Sequence, residues 1–180
     1  CQPVSAHTAI HHELHDWAAL GVEAHLHGRN PWLPYHELFR HAGARLVGGR
    51  PGEVVMMNSL TVNLHLLMAS FYRPTKDRYK IIIEDLAFPS DSYAVASQAR
   101  WHGFDPKDAI VRLKPRDPNK AWTLGTGEVV EAIEREGQRA ALLLLGAVNY
   151  LTGQWFDMGT ITSAAKRASG GRCMVGWDLA

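Results

Sequence analysis

The feature that most constrains this chain is residues 79–84, Tyr-Lys-Ile-Ile-Ile-Glu. The isoleucines are consecutive rather than alternating, so both faces of an extended segment are apolar, as in a strand covered by helices on both sides. Strands of that kind run parallel and need long crossovers, and the sequence that follows supplies them. It reads as a helix over 90–102, a strand over 109–113, an amphipathic helix over 128–136, an apolar strand over 140–145 and a helix over 157–168 closed by Gly170-Gly171. A last strand covers 173–177. Strands alternating with helices imply an α/β fold of three layers around a mainly parallel sheet.

Ahead of this rhythm the pattern differs. Leu14, Trp17, Ala18 and Leu20 predict a helix over 11–20, followed by a loop rich in Gly, Asn and Pro over 25–34. A second helix is expected over 35–47, closed by Gly48-Gly49. A short strand is expected over 53–57 and an apolar helix over 60–72, ended before Pro74. Residues 1–50 read as a helical lead-in packed on a sheet domain of residues 51–180.

A formal net charge of +1 leaves no basic field for nucleic acid and no polybasic patch for a membrane, and no apolar run is long enough to span a bilayer. Only two cysteines occur, Cys1 and Cys173, which is no disulfide framework and fits a reducing, cytoplasmic compartment. The start, Cys-Gln-Pro-Val-Ser, lacks the charge and apolar stretch of a signal peptide and lacks an initiator Met. With a final strand that no helix follows, both ends read as those of a piece of a larger chain.

His7, His11 and His15 recur at helical spacing, and His11-His12-Glu13-Leu14-His15 approaches a zinc helix. The second His arrives one residue too early for the metalloprotease pattern, so exposed histidines are the reading and no metal site is expected.

Four strand ends carry more. Met57-Asn58-Ser59-Leu60-Thr61-Val62-Asn63 opens a helix after a strand, and a helix N-terminus suits a phosphate; Asn58 or Ser59 as a simple N-cap is the alternative. Glu84-Asp85-Leu86-Ala87-Phe88-Pro89-Ser90-Asp91 places an aromatic beside the sheet edge. Phe88 there either stacks on a planar ring or belongs to the core, with Ser90 or Asp91 capping the next helix. Asn149-Tyr150-Leu151-Thr152-Gly153-Gln154 adds a polar turn. Asp178 ends the last strand, either as a cofactor-facing acid or as the N-cap of a following helix. A phosphorylated, planar, nitrogen-containing cofactor uses phosphate site, aromatic and carboxylate together. Pyridoxal phosphate fits.

These same segments resemble the kynureninase family: Asn58 through Met68, Ala87-Phe88-Pro89-Ser90-Asp91, Tyr150-Leu151-Thr152-Gly153-Gln154, and Gly176-Trp177-Asp178-Leu179-Ala180, in matching order and interval from about Trp17 onward. The resemblance implies the large domain, here incomplete, of a pyridoxal 5'-phosphate enzyme of the aspartate-aminotransferase fold type. Such an enzyme hydrolyses L-kynurenine, or 3-hydroxykynurenine, to the anthranilate and L-alanine. It acts in tryptophan catabolism and NAD biosynthesis as a cytoplasmic homodimer. By the resemblance, Leu60 and Thr61 hold the phosphate, and Phe88 stacks on the pyridine ring with Pro89, Ser90 and Asp91 completing that wall. Asp178 pairs with the ring nitrogen, and His25 lies on the substrate side.

The sequence also departs from the family. Relatives continue past their Asp-Leu-Ala to a cofactor-contacting His and then to a Ser-Tyr-Lys segment whose Lys forms the Schiff base. Lys76, Lys80, Lys107, Lys114, Lys120 and Lys166 fall in none of the matching motifs. The 180 residues alone are therefore expected to be inactive. Gly146-Ala147 stands where many relatives carry Pro-Gly or Ser-Gly, a pair linked to a phosphate contact. The alternatives are another pyridoxal-phosphate lyase of the same fold type, such as a cysteine-desulfurase-like enzyme, and a non-catalytic truncated remnant.

Overall fold

A computed structural model describes residues 2–117 and 122–180. Cys1 and Lys120 lie outside the described residues. The chain forms two compact units, Cys1–Asn58 and Ser59–Ala180; the sequence reading divides it after residue 50.

In the first unit, α1 spans Val4–Leu20, starting directly after Pro3 and therefore longer than the expected 11–20. The loop that follows folds back along it. Glu13 accepts hydrogen bonds from Asn30 Nδ2 at 2.8 Å and Trp32 Nε1 at 2.9 Å, and Asp16 accepts from the Arg29 N–H at 2.9 Å. These donors hold both carboxyls below their usual range, Asn30 leading for Glu13 and Arg29 for Asp16. The α1 histidines stay local: the His7 and His11 rings lie 4.4 Å apart and His12 pairs with Arg29. Among the described residues no group of three or more His, Cys, Asp or Glu is placed to hold a metal ion.

Two expectations fail in this unit. The helix expected over 35–47 is broken into a 3₁₀ turn, Tyr35–Glu37, and α2, Arg40–Val47, because Phe39 (φ −108°, ψ 2°) leaves the helical region between them. Its closure is as expected: Gly48 takes φ 68°, the left-handed conformation open to glycine. The strand expected over 53–57 is absent. Val54 is extended, but a 3₁₀ turn occupies Pro51–Glu53 and residues 54–57 join no sheet. Two valines make a segment strand-like, yet a strand exists only where a neighbour completes its hydrogen bonds.

The second unit opens with α3, Leu60–Phe71. Then β1 (Lys80–Glu84), α4 (Pro89–Trp101), the single turn α5 (Pro106–Ala109), β2 (Ile110–Leu113), α6 (Thr126–Glu136), β3 (Ala140–Gly146), α7 (Met158–Ala168) and β4 (Met174–Asp178) alternate as the sequence predicts. The strands form one parallel sheet in the order β2-β1-β3-β4, with Ile82 opposite both Val111 and Leu143, and Gly146 opposite Asp178.

The isoleucine run explains the layering. Ile81 and Ile83 face a core with Met68 and Tyr72 of the α3 side and Ala94, Val95 and Ala99 of α4. Ile82, between them, faces the opposite core with Val129 and Ile133 of α6 and Ile161, Ala164 and Ala165 of α7. All three isoleucines are buried, and each side chain withdrawn from water contributes roughly 1.5–3 kcal/mol. The three-layer, parallel α/β fold follows directly. Lys80 is buried at the start of β1 and satisfied by the backbone carbonyl and carboxylate of Asp108. No described helix is long and apolar enough to cross a membrane.

Candidate active site at the reversal of the sheet

The strand order fixes where a ligand crevice forms. The chain steps from β1 outward to β2, crosses back to β3 and then steps the other way to β4. Direction reverses between β1 and β3, and open parallel sheets bind ligands outside the carboxyl ends of their strands at such a reversal. Glu84, Gly146 and Asp178 are the last residues of β1, β3 and β4, so all three stand at that edge.

The expected site residues distribute around it. Leu60 and Thr61 are the first helical residues of α3, and Ser59 occupies the N-cap position without making the side-chain cap expected of it. The first ladder bond back to Ser59 comes from Asn63, at 2.9 Å, so the helix offers no backbone acceptor to the N–H groups of Leu60, Thr61 and Val62. That end carries donors and partial positive charge.

A cavity of about 610 Å³ brings together Leu60 from α3, Asp91 from α4 and Asp178 from β4, floored by Leu142, Leu144 and Met174. Phe88, Pro89, Ser90 and Thr61 do not line it. Phe88 is the N-cap residue of α4, and Pro89 is its first helical residue, where a missing N–H costs nothing. The alternative reading of this loop is corrected: Phe88 is not a core residue, being 48% exposed, and neither Ser90 nor Asp91 caps α4 through its side chain. Asp91 instead turns inward and is only 5% exposed.

Asp91 and Asp178 line this cavity; Glu84 does not, but it lies close enough for the charges of the three acids to act on one another. Burial, then the charge of Asp178, pushes the Asp91 carboxyl up to about 6, and Ser90 Oγ donates to it at 3.4 Å. Glu84 is also raised, mainly by burial; the donors on Asn149 and Gly146 oppose the shift and the charge of Asp178 adds to it. Among the described residues none of the three acids forms an ion pair with a cationic side chain. A cationic group entering the cavity would relieve this repulsion. Asp178 also accepts from the Ala180 N–H at 2.9 Å, which orients its carboxylate.

The polar turn behaves otherwise than expected. Gln154 is paired at both ends of its amide with the backbone of Leu124, and Thr152 Oγ1 donates to Asn149 Oδ1. Its contribution to the edge is Tyr150, whose ring meets Phe88 edge-on at 5.0 Å. Sequence reasoning missed Glu84 and Asn149, which hydrogen-bond to each other while buried. The available signal was a carboxylate closing an otherwise apolar strand. His25 belongs to the first unit, where its ring lies edge-on to Trp32 at 5.4 Å. Of the described lysines, Lys80 is bound to Asp108 and Lys166 to the Cys173 carbonyl, and none lines the cavity.

No protein-family profile matches the chain. Over 179 residues it is 59% identical to a kynureninase of Myxococcus xanthus and 58% identical to one of Salinispora tropica, in each case covering 99% of this chain and 41% of the relative. A kynureninase of Nematostella vectensis is 45% identical, with 37% of its length covered. The chain thus spans about two-fifths of the length of the curated relatives it matches. Among solved structures, a cystine C-S lyase in complex with its product cysteine persulfide superimposes with a TM-score of 0.73 at 15% identity, covering 98% of this chain and 44% of that one. An apo cysteine desulfurase from Thermococcus onnurineus gives 0.66 at 18%, covering 93% and 40%. At such identities these structures show the shared fold.

Proposed function

The chain belonging to the kynureninase family, we propose that it forms the cofactor-binding part of an enzyme hydrolysing L-kynurenine or 3-hydroxykynurenine to the anthranilate and L-alanine. The observation that carries this reading is the unneutralised Asp91–Asp178 pair facing one cavity with the uncapped start of α3. A ligand with a cationic ring nitrogen at one end and a phosphate at the other complements both features. Pyridoxal 5'-phosphate is such a ligand, and a similar fold holds it in the cystine C-S lyase variant with glycine covalently linked to its cofactor.

Of the residues assigned to the cofactor, Leu60, Asp91 and Asp178 line the cavity, and Thr61, Phe88, Pro89 and Ser90 are their neighbours at the starts of α3 and α4. The N–H groups of Leu60 and Thr61 would donate to its phosphate, Phe88 would cover a ring face beside Pro89 and Ser90, and Asp178 would hold the proton on the ring nitrogen. Asp91, close enough to Asp178 for the charge of that carboxylate to raise its own titration, would help keep it in place. Bound there, the cofactor supplies an electron-withdrawing ring that stabilises negative charge developing on an amino acid substrate. Asp178 maintains that capacity, because a ring nitrogen that loses its proton withdraws electrons weakly. His25 on the substrate side, a homodimeric assembly, a cytoplasmic location and roles in tryptophan catabolism and NAD biosynthesis complete the proposal, as does a covalent cofactor lysine lying outside the described residues.

The test is expression of the gene with its flanking coding sequence and measurement of anthranilate release from kynurenine, with cysteine as the competing substrate. Kynurenine turnover is expected. Release of sulfur from cysteine without kynurenine turnover would replace this reading with the desulfurase-like alternative, which rests on fold alone. Binding of the cofactor with turnover of neither would favour a non-catalytic remnant.

A further inference from the structure

At the reversal between β1 and β3, a buried pair joins the two loops that frame the crevice. Glu84 and Asn149 are each 4% exposed. Every hydrogen-bonding position on the Asn149 amide is engaged. Nδ2 donates to Glu84 Oε2 at 2.9 Å and to the Leu86 carbonyl at 3.1 Å. Oδ1 accepts from the N–H groups of Leu151 at 3.0 Å and Thr152 at 2.9 Å, and from Thr152 Oγ1 at 3.1 Å. With backbone donors on one side and a carboxylate and a carbonyl on the other, only one orientation of the amide satisfies all its partners. The second Glu84 oxygen accepts the Gly146 N–H at 3.3 Å. A Cβ on Gly146 would lie 3.2 Å from that oxygen, so glycine leaves the carboxylate its room.

One hydrogen-bonded chain therefore ties the end of β1, its loop at Leu86, the end of β3 and its loop at Leu151 and Thr152. Those loops carry Phe88 and Tyr150, set edge-to-face with an interplanar angle of 77°. Both rings are largely exposed, so burial does not hold them in that arrangement.

We propose that Glu84 and Asn149 are positioning residues that hold Phe88 and Tyr150 as a preformed aromatic wall for the pyridine ring of the cofactor. The assignment rests on the cofactor reading above. Its physical content is pre-organisation: each side chain that must be immobilised on binding weakens affinity by about two- to tenfold, and the pair removes that cost for two rings.

Reversing the polarity of the Glu84–Asn149 hydrogen bond tests this in the cofactor-free full-length protein. Pyridoxal 5'-phosphate affinity is measured by equilibrium dialysis, the orientation of the bound cofactor by its induced circular dichroism, and folding by thermal unfolding. Glu84→Gln leaves one oxygen for two donors, so either Asn149 Nδ2 or the Gly146 N–H loses its acceptor, and Asn149→Asp sets one carboxylate against another. Combined, the new amide at 84 donates to the new carboxylate at 149, while Gly146 keeps its acceptor. Each single variant is expected to lose about tenfold in affinity and to alter the circular dichroism. The double variant recovers to within about threefold, the residue of the loss being the Leu86 carbonyl left facing an oxygen. Tyr150→Ala, an exposed change that leaves the buried pair intact, is expected to lose affinity comparably with an unchanged melting temperature.

A double variant no better than the worse single overturns the proposal, as does a Tyr150→Ala protein that binds like the wild type. Failure of the wild type to bind the cofactor overturns the cofactor reading and this proposal with it. Wild-type binding that is indifferent to all four variants overturns the proposal alone.

Discussion

Asp91→Asn should stabilise the cofactor-free protein, and the gain should depend on pH. The wild-type carboxyl ordinarily titrates at 3.8 and is pushed up to about 6 in the folded chain, first by burial and then by the charge of Asp178. Below about pH 4 the group is protonated whether the chain is folded or not, and its ionisation contributes nothing. Between pH 4 and 6 the unfolded chain ionises while the folded one still binds the proton, so wild-type stability from this group falls as pH rises. Above pH 6 both states are ionised and the penalty is complete. At 1.36 kcal/mol per pH unit the full span is about 2–3 kcal/mol. The amide keeps the carboxyl's size and can donate a hydrogen bond as the protonated acid can, without ever ionising.

The assay is chemical denaturation of cofactor-free wild type and variant at about pH 4, 5, 6 and 7. Lowered carboxyls such as Glu13 and Asp16 and the raised Glu84 also give stability a pH dependence, but they are common to both proteins and largely cancel in the difference. The difference should grow by about 2–3 kcal/mol in favour of the variant, most of it before pH 6. A difference constant to within about 0.5 kcal/mol, the scatter of inconsequential substitutions, would refute the account of the acid cluster. Adding pyridoxal 5'-phosphate should shrink the effect, because a cationic ring nitrogen at Asp178 removes the charge that opposes ionisation of Asp91.

Other consequences are more local. Asp178→Asn in the full-length enzyme should cut kynurenine turnover by about a hundredfold or more while leaving the thermal unfolding profile in place; a rate near wild type contradicts the role given to that carboxylate. Ile82→Ala should destabilise the protein by about 2–5 kcal/mol in denaturant titrations, since the side chain is buried between β1 and the helices of one core; a loss below about 1 kcal/mol is incompatible with close packing there. Gly137→Ala would bring a methyl against Ala168 and within 2.8 Å of the Ile133 carbonyl, so a drop in melting temperature corresponding to about 1–3 kcal/mol is expected. An unchanged melting temperature would mean that α6 and α7 are not in the contact described.

The local elements of the sheet unit are legible because each rests on a short-range cause. Three consecutive isoleucines specify a strand covered on both faces, the Ala-Leu run over 140–145 does the same, and helical periodicity places α4, α6 and α7 within a residue or two. The misreadings lie where local pattern met a long-range requirement. Residues 53–57 have strand composition and no strand to pair with. Thr152 and Gln154 have the polarity of ligand contacts, but Asn149 and the Leu124 backbone claim them first. Ser59 stands where a cap belongs, yet its side chain makes no cap hydrogen bond.

The hardest feature to see was the one that joins the site. Alternation of strands and helices implies crossovers but not the order in which strands lie, and the order decides which loops become neighbours. In an order β1-β2-β3-β4 the loop carrying Phe88 would be separated from the loop carrying Tyr150 by a whole strand. In the observed β2-β1-β3-β4 they are adjacent. Glu84 and Asn149, 65 residues apart, become partners for the same reason. A buried carboxylate at a strand end is costly unless donors meet it, and at a sheet reversal the donors come from the neighbouring strand's loop. The pairing that stabilises Glu84 thus also brings the two aromatic residues together, so in this fold the support of the crevice and the shaping of its wall depend on the same hydrogen bonds.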